Sequence, residues 1–113
     1  MLLEERCEAC VPGAPAVTPE EQAELAPQIP GWLQIAVKDE PRLRRTYRFD
    51  SYEAALAFTQ KIGELAIAED HHPSILTQWG KVTVTWWTHA IHGLHRNDYI
   101  MAAKSDAIFN ASS

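Results

Sequence analysis

Apolar and polar residues alternate with period two in the segment Arg42 to Phe49. Leu43, Tyr47 and Phe49 fall on one face, and Arg44, Thr46 and Arg48 on the other, which predicts a β-strand. Val82 to His89 follows the same rule and is rich in β-branched and aromatic residues. Its parity sets Val82, Val84, Trp86 and Thr88 towards a core. Thr83, Thr85, Trp87 and His89 should then look out from an open face beside Arg44, Thr46 and Arg48. Trp32 to Val37 alternates weakly and reads as a further strand, hairpin-paired to the Arg42 strand through a turn at Lys38-Asp39-Glu40-Pro41. Ser74 to Trp79 is the remaining strand, with Gly80-Lys81 as its turn into Val82.

The other segments carry helical spacing and helix start signals. Thr18-Pro19-Glu20-Glu21 combines a capping threonine, a proline at the first helical position and a glutamate able to close a capping box, so a helix should run to about Gln28, before Pro30-Gly31. Asp50 with Glu53 marks a second start, and Ala55, Phe58, Ile62, Leu65 and Ala66 form the buried stripe that follows. Tyr52, Leu56 and Ile67 widen that stripe beyond what one sheet covers, which also fits packing on a second subunit. The helix should stop before His72-Pro73, because a residue preceding proline is biased to extended geometry. After a loop from Ile91 to Leu94, His95 or Asn97 should cap a third helix running through Tyr99, Ile100 and Ala103 towards Phe109. The order helix, hairpin, helix, hairpin, helix predicts an α+β fold, an antiparallel sheet covered by helices on one side.

A chain of 113 residues is one domain, set here at 18–113, behind a flexible leader at 1–17. The leader holds Cys7 and Cys10 as Cys-x-x-Cys and ends in Val11-Pro12-Gly13-Ala14-Pro15. One such pair supplies half of a structural zinc site. It reads as two ordinary thiols, with zinc shared between subunits or a disulfide as the alternatives. The net charge of −5 argues against non-specific binding to nucleic acid or an anionic membrane, since no global positive field drives it. The basic run Arg42-Leu43-Arg44-Arg45 with Arg48 reads as a solvated strand face. Met1-Leu2-Leu3-Glu4-Glu5-Arg6 has no apolar targeting core, and no apolar run approaches the ~20 residues of a membrane span, so a cytoplasmic protein is expected.

The candidate chemistry lies in Asp70-His71-His72-Pro73, Thr88-His89 and Asp98, which hold three of the five histidines. Histidine titrates nearest neutral pH and can give or take a proton. Three readings compete: hydrogen-bonded structural histidines, a zinc site completed by His89, and a proton-transfer site. Neighbouring histidines lack the four-residue spacing of helical zinc ligands. At a helix end before proline, His71 and His72 can converge on one cleft, with Trp87 as an aromatic wall. Asp98 alone is explained by the dipole at its helix start. No Gly-x-Ser-x-Gly turn surrounds Ser74 and no Gly-rich phosphate loop exists. The grouping favours proton transfer on a flat, polar small molecule.

Asp70-His71-His72-Pro73, Trp79-Gly80-Lys81-Val82, Trp87-Thr88-His89, Gly93-Leu94 and Asn97-Asp98 together resemble the pterin-4a-carbinolamine dehydratases, over about Thr18 to Lys104. The resemblance implies a four-stranded antiparallel sheet with three helices on one face, and a homodimer or homotetramer built by sheet extension and helix packing. It implies dehydration of 4a-hydroxytetrahydropterin to quinonoid dihydropterin, the step that lets aromatic amino-acid hydroxylases recycle their tetrahydropterin, with no metal and no cofactor. The family's functional histidines map onto His71, His72 and His89, its substrate contacts onto Asp70, His71, His72, Trp87, Thr88, His89 and Ala90, and its helix-start acid onto Asp98. Relatives often carry an acid where this chain has Ile67, so an acid that orients His71 must come from Glu69, Asp70 or Asp98, or be missing. Two other roles lie near this resemblance: pterin binding in another pathway, such as molybdopterin-related metabolism, and a dimerisation module of the kind animal relatives provide to a homeodomain transcription factor.

Overall fold

The computed structural model describes residues 2–8 and 13–112. Cys10, one half of the Cys-x-x-Cys pair, lies outside the described residues. The elements are α1 (Pro19–Leu25), β1 (Leu33–Val37), β2 (Glu40–Arg48), α2 (Tyr52–Glu69), β3 (Ser74–Gln78), β4 (Lys81–Trp86) and α3 (Arg96–Ser112). The strands form one antiparallel sheet in the order β1-β2-β4-β3, with the helices against one face. This is the α+β arrangement that the alternating and helical patterns predict. No helix among the described residues is long and apolar enough to cross a membrane.

Local chemistry explains the boundaries that differ from the sequence reading. Pro27 has no N–H to extend α1, so the chain tightens into a 3-10 turn at Ala26–Gln28. The β1–β2 turn is only Lys38-Asp39, both with positive φ (52° and 66°), the primed geometry that matches strand twist, and β2 therefore starts at Glu40. Ser51, not Asp50, caps α2, its hydroxyl accepting from the Ala54 N–H. Gly80 sits at φ 72° in the β3–β4 turn, where a Cβ would lie 3.2 Å from the Phe49 carbonyl.

The core lies between the sheet and the helices. Leu43, Tyr47, Val82, Val84 and Trp86 supply the sheet side, with Ala55, Phe58, Ile62 and Ala66 from α2 and Tyr99, Ile100, Met101 and Ala102 from α3. Leu25 and Ile29 also belong to it. Tyr52, Leu56 and Ile67 stay exposed on the outer side of α2. The basic run is less solvated than its charge suggests. Arg45 turns to the core side and joins Tyr47 and Trp32 in donating to one oxygen of Asp106 on α3. Burial, and then Asp106, push the Tyr47 phenol well up, so it stays protonated and donates. Asp106→Ala removes the acceptor of three donors and is expected to cost about 3 kcal/mol, read as a lower urea midpoint with an unchanged m-value.

Residues 2–8 are docked, where the sequence reading expects a mobile leader. Leu2 is 1% exposed and belongs to the core. The Arg96 guanidinium grips Glu5 with two hydrogen bonds of 2.7 Å. Glu69 accepts from the Cys7 N–H at 2.9 Å and pairs with Arg6 at 2.9 Å. The Cys7 N–H, and to a lesser degree Arg6 and Lys104, hold the Glu69 carboxyl below its usual 4.5 against the opposing effect of burial. A folded-state value below the unfolded one means that the unfolded chain takes up the proton first. This contribution to stability is complete above pH 4.5 and fades as pH falls below it. Glu69→Gln should therefore melt below the unaltered protein at neutral pH, and the gap between their thermal midpoints should close in acid.

Candidate functional site

The turn that ends α2 creates the site. Asp70 is left-handed (φ 52°), its N–H and that of His71 bond back to the last turn of α2, and the chain reverses direction. The reversal sends the His71 ring inward, where it is 4% exposed and stacks on Trp86 at 5.7 Å between centroids with planes 7° apart. The Trp86 indole is itself anchored, its Nε1 donating to Ser105 on α3 at 3.1 Å. His72 follows outside any helix or strand and is exposed, as is Asp70, so the two adjacent histidines sit in different surroundings.

Asp98 is the hub. It lies in the first turn of α3, where the helix dipole favours a carboxylate, and it is 0% exposed. One oxygen faces His71 Nε2 at 2.6 Å. The other accepts from the Thr88 hydroxyl at 2.8 Å and the His95 N–H at 2.9 Å. A carboxylate only accepts, so the His71 proton sits on Nε2 and, in the neutral ring, Nδ1 is the basic nitrogen. Of the three acids that could orient His71, the structure selects Asp98. Glu69 faces the N-terminal segment instead, and Ile67 is 76% exposed.

His89 and Trp87 lie just past the end of β4. The strand stops at Trp86, Thr88 bridges to Gly93, and His89 opens a 3-10 turn, so the strand expected up to His89 ends three residues early. Trp87 is 9% exposed, not open to solvent as its parity suggests. The Arg42 guanidinium lies 3.9 Å over its ring, and the exposed His89 packs on it at 4.4 Å between centroids. Arg42 is held in turn by Glu40, which also accepts from His92. Arg42 is a site neighbour that sequence reasoning missed, because the strand pairing that brings it to Trp87 is non-local. Hydrogen bonds thus join His71, Asp98 and Thr88. Next along the chain, Trp87 and His89 form a second group in tilted ring contact, with Ala90 half-buried beside it.

His95 caps α3, its Nδ1 accepting from the Asn97 N–H at 3.0 Å. A cavity of about 220 Å³ lies between the N-terminal segment and this cap, lined by Glu5, Glu8, His95 and Ile100 among others. His71, His72 and His89 do not line it. Among the described residues no group of three or more His, Cys, Asp or Glu side chains is arranged to hold a metal ion.

A family model described as pterin 4 alpha carbinolamine dehydratase matches residues 15–108. The chain belongs to that family. A protein of Gloeobacter violaceus, whose name provisionally makes it a pterin-4-alpha-carbinolamine dehydratase 1, is 57% identical over 107 residues, 95% of this chain and 92% of its own. A Syntrophotalea carbinolica protein with a similarly provisional dehydratase name is 55% identical over 107 residues, 95% of this chain and 96% of its own. Among solved structures, a transcriptional coactivator/pterin dehydratase from Brucella melitensis superposes with a TM-score of 0.74 at 29% identity, covering 83% of this chain and 98% of that one. A pterin dehydratase-like protein described as a RuBisCO assembly factor in the alpha-carboxysome shares the fold, with a TM-score of 0.59 at 24% identity over 69% of this chain and 88% of that one. The dehydratase family thus rests on the sequence match, and its fold is the one described above.

Proposed function

We propose that the protein dehydrates 4a-hydroxytetrahydropterin to quinonoid dihydropterin, with His71 and His89 as the acid–base pair and His72 holding the pterin by hydrogen bonding. The observation that carries this reading is the buried chain from His71 through Asp98 to Thr88 in a chain of this family. Loss of the 4a hydroxyl needs a proton on the departing oxygen and removal of the N5 proton. The N5 lone pair assists the departure, so positioned acid and base groups are enough, at about 10²–10⁴-fold. No electrons are gained or lost overall. In this reading His71, oriented by its hydrogen bond to Asp98, serves as the base at N5 and His89 as the acid at the leaving oxygen. Asp70, Trp87, Thr88 and Ala90 would contact the pterin around them.

The tetrahydropterin cofactor of aromatic amino-acid hydroxylases is the pool such a reaction would refill, in the cytoplasm. The exposed stripe Tyr52, Leu56 and Ile67 suits assembly into a homodimer or homotetramer. The test is direct: 4a-hydroxytetrahydropterin is generated in situ and quinonoid dihydropterin is followed by absorbance. A rate well above that of buffer supports the reading, and a rate equal to that of buffer removes it.

A further inference from the structure

Glu69 is badly placed for the helix it ends. A carboxylate in the last turn opposes the helix dipole, a cost of about 0.3–1 kcal/mol. Its side chain is nevertheless only 7% exposed, held by the Cys7 N–H and by Arg6. On the other side of the site, Asn97 spends both halves of its amide on one residue. Its oxygen accepts from the Glu8 N–H at 3.0 Å and its nitrogen donates to the Glu8 carbonyl at 2.8 Å. Its backbone carbonyl also accepts from the Cys7 thiol at 3.9 Å. Beside it, Arg96 grips Glu5.

These anchor points are not scattered. Glu69 directly precedes Asp70-His71, and Asn97 directly precedes Asp98. The short stretch Glu5 to Glu8 therefore ties the end of α2 to the start of α3, across the gap that the His71–Asp98 hydrogen bond also spans. We propose that residues 5–8 form a clasp that sets the spacing of His71 and Asp98, with Glu69 and Asn97 as positioning residues for that pair. The inference deepens the proposed reaction and rests on it only for its kinetic consequence. A 2.6 Å hydrogen bond between two elements is sensitive to small relative shifts, and a misplacement of about 1 Å can cost a catalytic group as much as 10²-fold. The clasp removes that freedom without touching substrate.

The test uses Asn97→Ala and Glu69→Ala in the full chain, well below each variant's unfolding midpoint. Each should lower kcat about tenfold with KM within about twofold, since the substrate contacts stay in place. The double variant should lose little more than the worse single one, because either change opens the same clasp. The ¹⁵N imidazole signals of His71 should move in both variants, a change that a pin serving only stability would not cause. Lower melting points with wild-type kcat and unmoved His71 signals would overturn the clasp. If the unaltered protein does not dehydrate the carbinolamine, the reaction falls, and the His71 signals alone decide the clasp.

Discussion

Asp98→Ala is expected to destabilise the protein by about 3–5 kcal/mol, because it strands three buried donors at once. His71 Nε2, the Thr88 hydroxyl and the His95 N–H all lose their acceptor in a place closed to water. For a domain of this length the midpoint should fall by roughly 12–20 °C. Asp98→Asn keeps the volume but brings an NH₂ group that must face one of the three donors, so it should cost about 2–3 kcal/mol. Both variants remove the carboxylate behind the His71 ring. If that carboxylate orients the base, kcat should fall about 10²-fold in Asp98→Asn even where circular dichroism shows a native fold. A native melting point for Asp98→Ala would mean that the hub is not buried as described.

His89→Ala is the sharper kinetic experiment, since His89 is exposed and its removal leaves no hole in the core. It and His71→Ala should each reduce kcat about 10²–10⁴-fold. His72→Ala should act mainly on KM, as expected for a group that holds the ring without moving its protons. The His71→Ala, His89→Ala double variant should sit near the uncatalysed rate, far above the product of the single losses, because acid and base act as a unit. Wild-type turnover in all three single variants would place the chemistry elsewhere on the molecule. His71→Ala also removes the ring stacked on Trp86, so its kinetics should be read beside its melting curve.

The family resemblance depends on short local motifs, and the structure shows what each does locally. His72-Pro73 ends the turn that aims His71 inward, Gly80 closes the β3–β4 turn, and Asp98 opens α3. The acid–base roles proposed for His71 and His89 rest on the family resemblance and on residue chemistry. The partnership of His71 with Asp98 follows from neither, because it joins residues from separate helix ends.

The amino-acid sequence by itself determined the element order, the inward parity of Val82, Val84 and Trp86, and the capping box at Thr18 and Glu21. These follow from period, cap chemistry and proline geometry, all of which act within a few residues. Tertiary structure alone decided that Arg42 covers Trp87, that Arg45 serves Asp106, and that Asp98, not Glu69 or Asp70, stands behind His71. It also docked residues 2–8 on the ends of α2 and α3, which no local pattern announces. The reason is common to all of these. A charged or amide side chain reads as solvated until the fold brings a partner to it, and burial then makes that partner compulsory.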